Sequence, residues 1–259
     1  MKKTLIALAV AASAAVSGSA MAWTANGTGS SVDLGGTLTP VDVITPWEVK
    51  TGDAVTGLNA QIQKNQKEVN VSVTKAIPIL GIRTIDTTAF QGRSGISPQI
   101  SYEGAVDLAG FNAGVTTVSM EVRDTEGKVI GGLVAPFTAA ALSSYVNTSD
   151  GVSNKKSLYA AESGKGFFGG LGYNAAAVAN YPIAATSFFS EASQHFDEQG
   201  IADLSESGDT SFGSGAATYS AFYASGIAQG GTIKITLDKP AGANEIVWNA
   251  SLPVTVSYQ

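Results

Sequence analysis

The 259-residue sequence contains no cysteine and a single histidine, His195. The lack of cysteine excludes disulfides, thiol catalysis, cysteine-ligated zinc and iron–sulfur clusters. One histidine cannot form a multi-histidine metal centre. His195 stands beside Asp197 and Glu198, which offers a metal or acid–base cluster, but we favour a solvated polar turn. We therefore predict that the protein is not an enzyme and has no catalytic residues, metal or cofactor.

Charge is also scarce, because Asp, Glu, Lys and Arg make up 14% of the residues and the formal net charge is −6. Nucleic-acid binding requires a basic surface, so this composition predicts no nucleic-acid partner. Gly164-Lys165-Gly166 lacks the spacing and the hydroxyl of a phosphate-binding loop. Beyond residue 22 no apolar run approaches the roughly 20 residues that span a bilayer.

Residues 1–22 have the three parts of a secretory signal peptide. Lys2 and Lys3 are positive, residues 5–16 are apolar, and Ala20-Met21-Ala22 fits the small-residue cleavage pattern. We expect removal of this segment and export through the periplasm. An exported domain without disulfides must be stabilised by a large core or by a strand from another chain.

Most of the remaining sequence alternates apolar and polar residues, as strands with one buried face do. Turn signals separate the runs, for example Asp124–Gly127 and Gly230-Gly231. The pattern predicts an all-β fold, an antiparallel sandwich. The alternating positions are Val69, Val71 and Val73; Val118, Met120 and Val122; and Ile233, Ile235 and Leu237.

Two alternating stretches lie near the ends of the sequence. The last residues place Leu252, Val254, Val256 and Tyr258 on one face of a strand. Residues 30–39, here called the donor segment, place Val32, Leu34, Gly36 and Leu38 on one face. The donor segment either joins the protein's own sheet or is donated to a neighbouring subunit, since a free apolar strand invites aggregation.

Between about residues 138 and 215 the alternation fades, and Ala, Gly, Ser and aromatic residues dominate. We predict a mixed, partly helical insert with helical turns at 139–145, 174–180 and 188–196 and a tight loop at 165–170. Such elaborations often carry binding residues. Aromatic rings can stack on sugars, so the candidate glycan-binding residues are Tyr159, Tyr173 and Tyr181. The alternative is that these rings only pack the insert.

An ordered series of short motifs resembles the subunits of chaperone–usher fimbriae, most closely the major subunits of the kappa class, typified by the K-eighty-eight antigen. The series is Ser31-Val32-Asp33-Leu34-Gly35-Gly36-Thr37, Trp47-Glu48-Val49-Lys50, Pro78-Ile79-Leu80-Gly81, Arg83-Thr84, Pro98-Gln99-Ile100, Tyr102-Glu103-Gly104, Ala224-Ser225-Gly226-Ile227-Ala228 and Pro253-Val254-Thr255-Val256-Ser257-Tyr258. The insert matches least well.

The resemblance implies an incomplete immunoglobulin-like sandwich that lacks its last strand. In such subunits a periplasmic chaperone fills the resulting groove, and at the outer-membrane usher the donor strand of an identical neighbouring subunit replaces the chaperone. It places Gly36 where the groove is shallow. It also implies adhesion by the fibre to a host glycan or glycoprotein receptor.

These inferences give a signal peptide at 1–22, a donor strand at 23–40 and an immunoglobulin-like domain at 41–259 that carries the insert. We predict a major structural subunit of an extracellular surface fimbria that polymerises by donor-strand complementation and adheres to host-cell glycans. The alternatives are a purely structural pilin whose adhesion is carried by another subunit, or a secreted glycan-binding module.

Overall fold

The computed structural model describes residues 34–39, 44–179 and 187–259. The chain divides into two units, Met1–Val41 and Asp42–Gln259. In the described part of the second unit the strands are β1 (Trp47–Thr51), β2 (Glu68–Ser72), β3 (Ile77–Thr84), β4 (Phe90–Gln91), β5 (Pro98–Ser101), β6 (Val115–Arg123), β7 (Val129–Asn147), β8 (Ser153–Ser157), β9 (Ala217–Ile227), β10 (Thr232–Leu237) and β11 (Thr255–Tyr258). No helix in the described ranges is long and apolar enough to cross a membrane.

The 19-residue strand β7 organises the sheet. Its first half pairs with β6 on one edge and with β10 on the other, and β10 pairs in turn with β2. Its second half pairs with β8 and β9, and β9 leads to β3 and β1. All of these pairings are antiparallel. A separate two-stranded sheet joins β11 to β5.

The buried faces of these strands share one inner core, which confirms the predicted all-β, sandwich-like arrangement. The residues of the three alternating runs are buried or half-buried against it. Trp47 lies at the end of this core where aromatic rings cluster. The centroid of its ring is 5.0 Å from that of Phe212 and 5.7 Å from that of Phe167. Both phenylalanines come from the insert and are completely buried. The insert therefore contributes to the main core.

The two predicted turns are confirmed. Asp124 Oδ1 accepts hydrogen bonds from the amides of Glu126 (3.0 Å) and Lys128 (2.9 Å), and Gly127 has a φ of +82°. The second turn joins β9 to β10 and includes Gly230, with a φ of +84°. Such positive φ values favour glycine.

The prediction of a helical turn at residues 139–145 is wrong, because these residues belong to β7. They are almost continuously buried, since the inner core covers one face of the sheet and an outer cluster covers the other. A strand buried on both faces has no alternation for a sequence pattern to reveal. The outer cluster consists of Ala140, Leu142, Phe188, Phe189, Ala192, Phe222 and Ala224.

The other two predicted helical turns are reduced to short features. Within 174–179 the structure has one 3-10 turn, Ala175–Ala177, capped by the Asn174 side chain. The stretch at 188–196 consists of successive turns. The insert is therefore made of strands, turns and irregular chain, and its predicted helical character is wrong in the described residues. The predicted tight loop at 165–170 is present, and Gly169 approaches Ile100 so closely that a Cβ would overlap its carbonyl oxygen.

Candidate functional site

The most extensive candidate site is an apolar stripe along residues 246–258, here called the C-terminal stripe. Every second residue is half-buried against the inner core and the intervening residues are exposed. All four residues predicted from the sequence belong to it. Its members are Ile246, Trp248, Ala250, Leu252, Val254, Val256 and Tyr258.

Within the described ranges, most of this stripe has no paired strand. Residues 255–258 pair with β5, and Asn249 forms an isolated bridge with Arg123. Among the described residues, no backbone hydrogen bond engages 250–254. An extended segment with an unpaired backbone and a half-covered apolar face is suited to accept a further strand.

A second irregular segment lies between β1 and β2. Residues 53–67 are mostly exposed, but Leu58 and Ile62 are half-buried and pack against the same inner core as the C-terminal stripe. Among the described residues, 53–56 and 60–62 make no backbone hydrogen bonds. Sequence reasoning missed Leu58 and Ile62, although residues 58–63 alternate apolar and polar side chains in the same way. It also missed Ile246, Trp248 and Ala250, although they extend the alternation that was recognised.

The donor segment is described only at residues 34–39. These residues are exposed and form no strand, and Leu34 and Leu38 are 93% and 96% exposed. A Cβ built on Gly36 would meet no atom within 4 Å. Val32 lies outside the described residues. Burying these two leucines would contribute roughly 3–6 kcal/mol of hydrophobic free energy, which is lost while they are exposed to water.

The candidate glycan-binding tyrosines differ in position and exposure. The amide of Ala160 donates to the carbonyl of Gly172 at 2.9 Å, which brings the segments carrying Tyr159 and Tyr173 side by side. Tyr159 is half-buried, whereas Tyr173 is 38% exposed, with its ring 6.3 Å from that of Phe168. Tyr181 lies outside the described residues. Phe167, Phe188 and Phe189 are buried, as the packing alternative expects.

The polar cluster around His195 holds the insert against the sheet. His195 Nδ1 donates to the Thr84 carbonyl at 2.7 Å, and Asp197 Oδ2 accepts from the Ala89 amide at 3.1 Å. Lys155 Nζ contacts Glu198 Oε1 at 3.0 Å. The expectation of a merely solvated turn was incomplete, since His195 and Asp197 are half-buried. In the described ranges no group of acidic or histidine side chains has a geometry that could hold a metal ion.

Comparison with known proteins agrees with this architecture. The family described as "Fimbrial, major and minor subunit" matches residues 1–259. The chain is 31% identical to K88 fimbrial protein AB of Escherichia coli over 287 aligned positions and 31% identical to K88 fimbrial protein AC over 285. It is 30% identical to the F41 fimbrial protein of the same organism over 284 positions. Each alignment covers the whole of both chains. The chain therefore belongs to the family of fimbrial major and minor subunits, structural proteins of surface fimbriae that assemble with other subunits and are not enzymes.

Proposed function

We propose that this fimbrial subunit polymerises by donor-strand complementation. The donor segment of one subunit adds to the C-terminal stripe of the next, with Leu34 and Leu38 on the apolar face. The observation that carries this proposal is the complementarity within one chain. One end presents exposed leucines at alternating positions, and the other has a half-covered alternating stripe with an unpaired backbone.

The energetics favour a long-lived joint. Burying Val32, Leu34 and Leu38 contributes roughly 5–9 kcal/mol before ordering costs, at about 1.5–3 kcal/mol for each side chain. Backbone hydrogen bonds to residues 250–254 would add to this. Leu58 and Ile62, which pack against the same inner core, offer the donor strand a second apolar contact. This arrangement is the β-strand addition already described for pilins.

Residues 1–22 and the C-terminal stripe together suggest how the subunit reaches the fibre. Residues 1–22 direct export and are removed, a periplasmic chaperone protects the C-terminal stripe, and the outer-membrane usher exchanges that chaperone for a donor strand. A half-covered apolar stripe next to an unpaired edge would aggregate if it were left open. The mature fibre lies on the bacterial surface.

The test of polymerisation uses matched pairs on the two surfaces. Leu34→Asp should abolish fibres, because an unpaired carboxylate would enter an apolar groove, whereas Thr37→Asp on the other face should assemble normally. On the acceptor, Val254→Lys should lead to loss of the subunit in the periplasm, whereas Thr255→Lys should be tolerated. Fibre yield and subunit abundance are measured in cells with chaperone and usher. Normal fibres from both Leu34→Asp and Val254→Lys would contradict the proposal.

We further propose that the assembled fibre adheres to host-cell glycans through the insert. The support is the adjacent placement of the Tyr159 and Tyr173 segments and the exposed ring of Tyr173. Tyr159→Ala and Tyr173→Ala should each weaken binding by about 1–3 kcal/mol per site while fibres still assemble. Tyr181→Ala completes the series. Full cell binding by the triple variant, with normal fibres, would move adhesion to another surface or another subunit.

A further inference from the structure

A cavity of about 320 Å³ opens where the insert meets the edge of the sheet at β1 and β3. It lies on the face of these strands that carries Glu48 and Lys50, opposite the buried Trp47. Of the candidate tyrosines, the described Tyr159 and Tyr173 do not line it. The residues that matter for its chemistry are Glu48, Lys50, Gly81, Arg83, Phe189 and Glu191.

Two ion pairs form the polar part of the wall. Lys50 Nζ contacts Glu191 Oε1, and Arg83 Nε contacts Glu48 Oε1. Arg83 Nη1 also donates to the carbonyl of Glu191 at 2.7 Å. The hydrogen bond from Lys50 lowers the pKa of Glu191, so this carboxylate stays ionised near neutral pH. His195 Nδ1 lies 3.5 Å from Glu48 Oε1.

These side chains retain unused hydrogen-bonding capacity. A guanidinium and an ammonium carry more N–H donors than these contacts use, and each carboxylate has more acceptor sites. Two carboxylates face two cations, so the wall has no net charge. It offers donors and acceptors together, which suits hydroxyl groups that both donate and accept.

The apolar part of the wall is rigid. The ring of Phe189 lies against Gly81, where a Cβ would approach the ring to 3.1 Å, and Lys50 Nζ is 5.8 Å from the ring centroid. Phe189 is only 4% exposed, so packing holds its ring in place. A ligand would therefore not have to order this ring when it binds.

We propose that this cavity binds one neutral hexose unit of a host glycan. Its volume lies at the low end of the range of ligand pockets, roughly 300–1,000 Å³, which suits one or two sugar rings and not a long oligosaccharide. The ring hydroxyls bridge the two ion pairs, and C–H groups of the sugar contact the small accessible part of Phe189. Sialic acid should not bind more tightly than a neutral hexose. Its carboxylate would be repelled by Glu48 and Glu191 as well as attracted by Lys50 and Arg83.

The inference rests on the proposed adhesive function and assigns it a second site. A single sugar in an open cavity binds weakly, but a fibre repeats the cavity in every subunit. Multivalent attachment can raise the overall affinity by about 10²–10⁴-fold without any new contact. The weak site would then be effective only on the polymer.

The test uses purified full-length fibres on immobilised lactose, cellobiose and 3′-sialyllactose. Glu191→Gln and Glu48→Gln keep the size and shape of each side chain but remove its negative charge, so the ion pairs with Lys50 and Arg83 are lost. The matched control is Glu68→Gln, which breaks the exposed 3.0 Å ion pair to Lys234 elsewhere on the sheet. We expect both cavity variants to lose at least tenfold in binding to a neutral sugar, while fibre yield and the control stay unchanged.

The outcomes separate this inference from the adhesive proposal. If wild-type fibres bind a neutral sugar and both cavity variants bind it equally well, the hexose site is wrong and adhesion through the tyrosines stands. Binding confined to 3′-sialyllactose also overturns the hexose site. If wild-type fibres bind neither these sugars nor host cells, the adhesive proposal fails and this inference fails with it.

Discussion

At the scale of single residues, the least expected feature is a buried hydroxyl network between the two layers. Tyr102 Oη lies 2.9 Å from Tyr223 Oη and 3.0 Å from Ser225 Oγ. Tyr223 donates to the Gly170 carbonyl at 3.1 Å. Because both tyrosines are completely desolvated, burial raises the pKa of Tyr102 to about 12 and that of Tyr223 well above its usual value.

This network predicts a loss of stability at alkaline pH. The neutral phenol of Tyr102 is favoured in the folded state, so its contribution is complete below the unfolded pKa of 10.0 and is lost as the pH rises through about 12. Up to roughly 3 kcal/mol depends on this shift. Tyr102→Phe should be destabilised at pH 7 by about 1–3 kcal/mol. Its unfolding midpoint should nevertheless fall less steeply than wild type between pH 10 and pH 12.

The measurement is the guanidinium midpoint of purified fibres at pH 7, 9, 10, 11 and 12. Tyr173→Phe alters an exposed tyrosine outside the network and serves as the control. It should follow the wild-type curve throughout. Identical slopes for Tyr102→Phe and wild type above pH 10 would show that the buried hydroxyl does not control the alkaline transition.

At the scale of elements, the outer face of the sheet is made flat by small residues so that the insert can lie on it. Gly81 pairs with Ala224 on β9, and Ala224 pairs with Ala140 on β7. Phe189 rests on Gly81 and Phe188 on Gly226. Larger side chains in this row would push the turns at 187–199 away from the sheet.

We therefore expect Gly226→Ala to loosen the insert. The added Cβ would lie 2.4 Å from the Phe188 ring and 2.5 Å from the Ile77 carbonyl oxygen, so both the ring and the β3 backbone must shift. Such overpacking costs about 1–3 kcal/mol. Chymotrypsin should cleave the variant after Phe188 or Phe189 faster than wild type. Gly132→Ala on β7 meets only one atom, at 3.9 Å, and should resist cleavage like wild type. Equal cleavage of all three proteins would contradict the packing argument.

The strands of this sheet also show how far the sequence could predict the fold. Alternation identified β2, β6, β10 and the C-terminal stripe, because each of these has one buried face. It failed along Ala139–Tyr145, where small apolar residues face a core on both sides. The cavity at β1 and β3 was also beyond sequence reasoning. Glu48, Arg83 and Glu191 are distant in the chain, and only strand pairing and the docked insert bring them together.

At the scale of the whole molecule, the proposed joint connects two different surfaces, an exposed donor segment and an acceptor stripe. Contact between unlike surfaces generates an open filament unless the rotation closes a ring. The fibre can therefore consist of copies of this one subunit, without a subunit of another kind between them. It follows that giving one subunit its own donor strand should stop growth completely.

This expectation defines the last prediction, a self-complemented monomer. The chain lacks residues 23–40 at the N-terminus and carries a copy of residues 30–39 after Gln259, joined by a short Gly-containing turn that reverses the chain direction. The copy can then run antiparallel along the C-terminal stripe and cover Leu252 and Val254. Sedimentation should show a monomer, and its guanidinium midpoint should exceed that of the same deletion without the copy. The matched control carries Asp at the position of Leu34 in the copy and should lose the added stability, because the carboxylate would be buried without a partner. A copy that confers no stability, or a variant that still forms fibres, would show that the donor segment does not occupy this stripe.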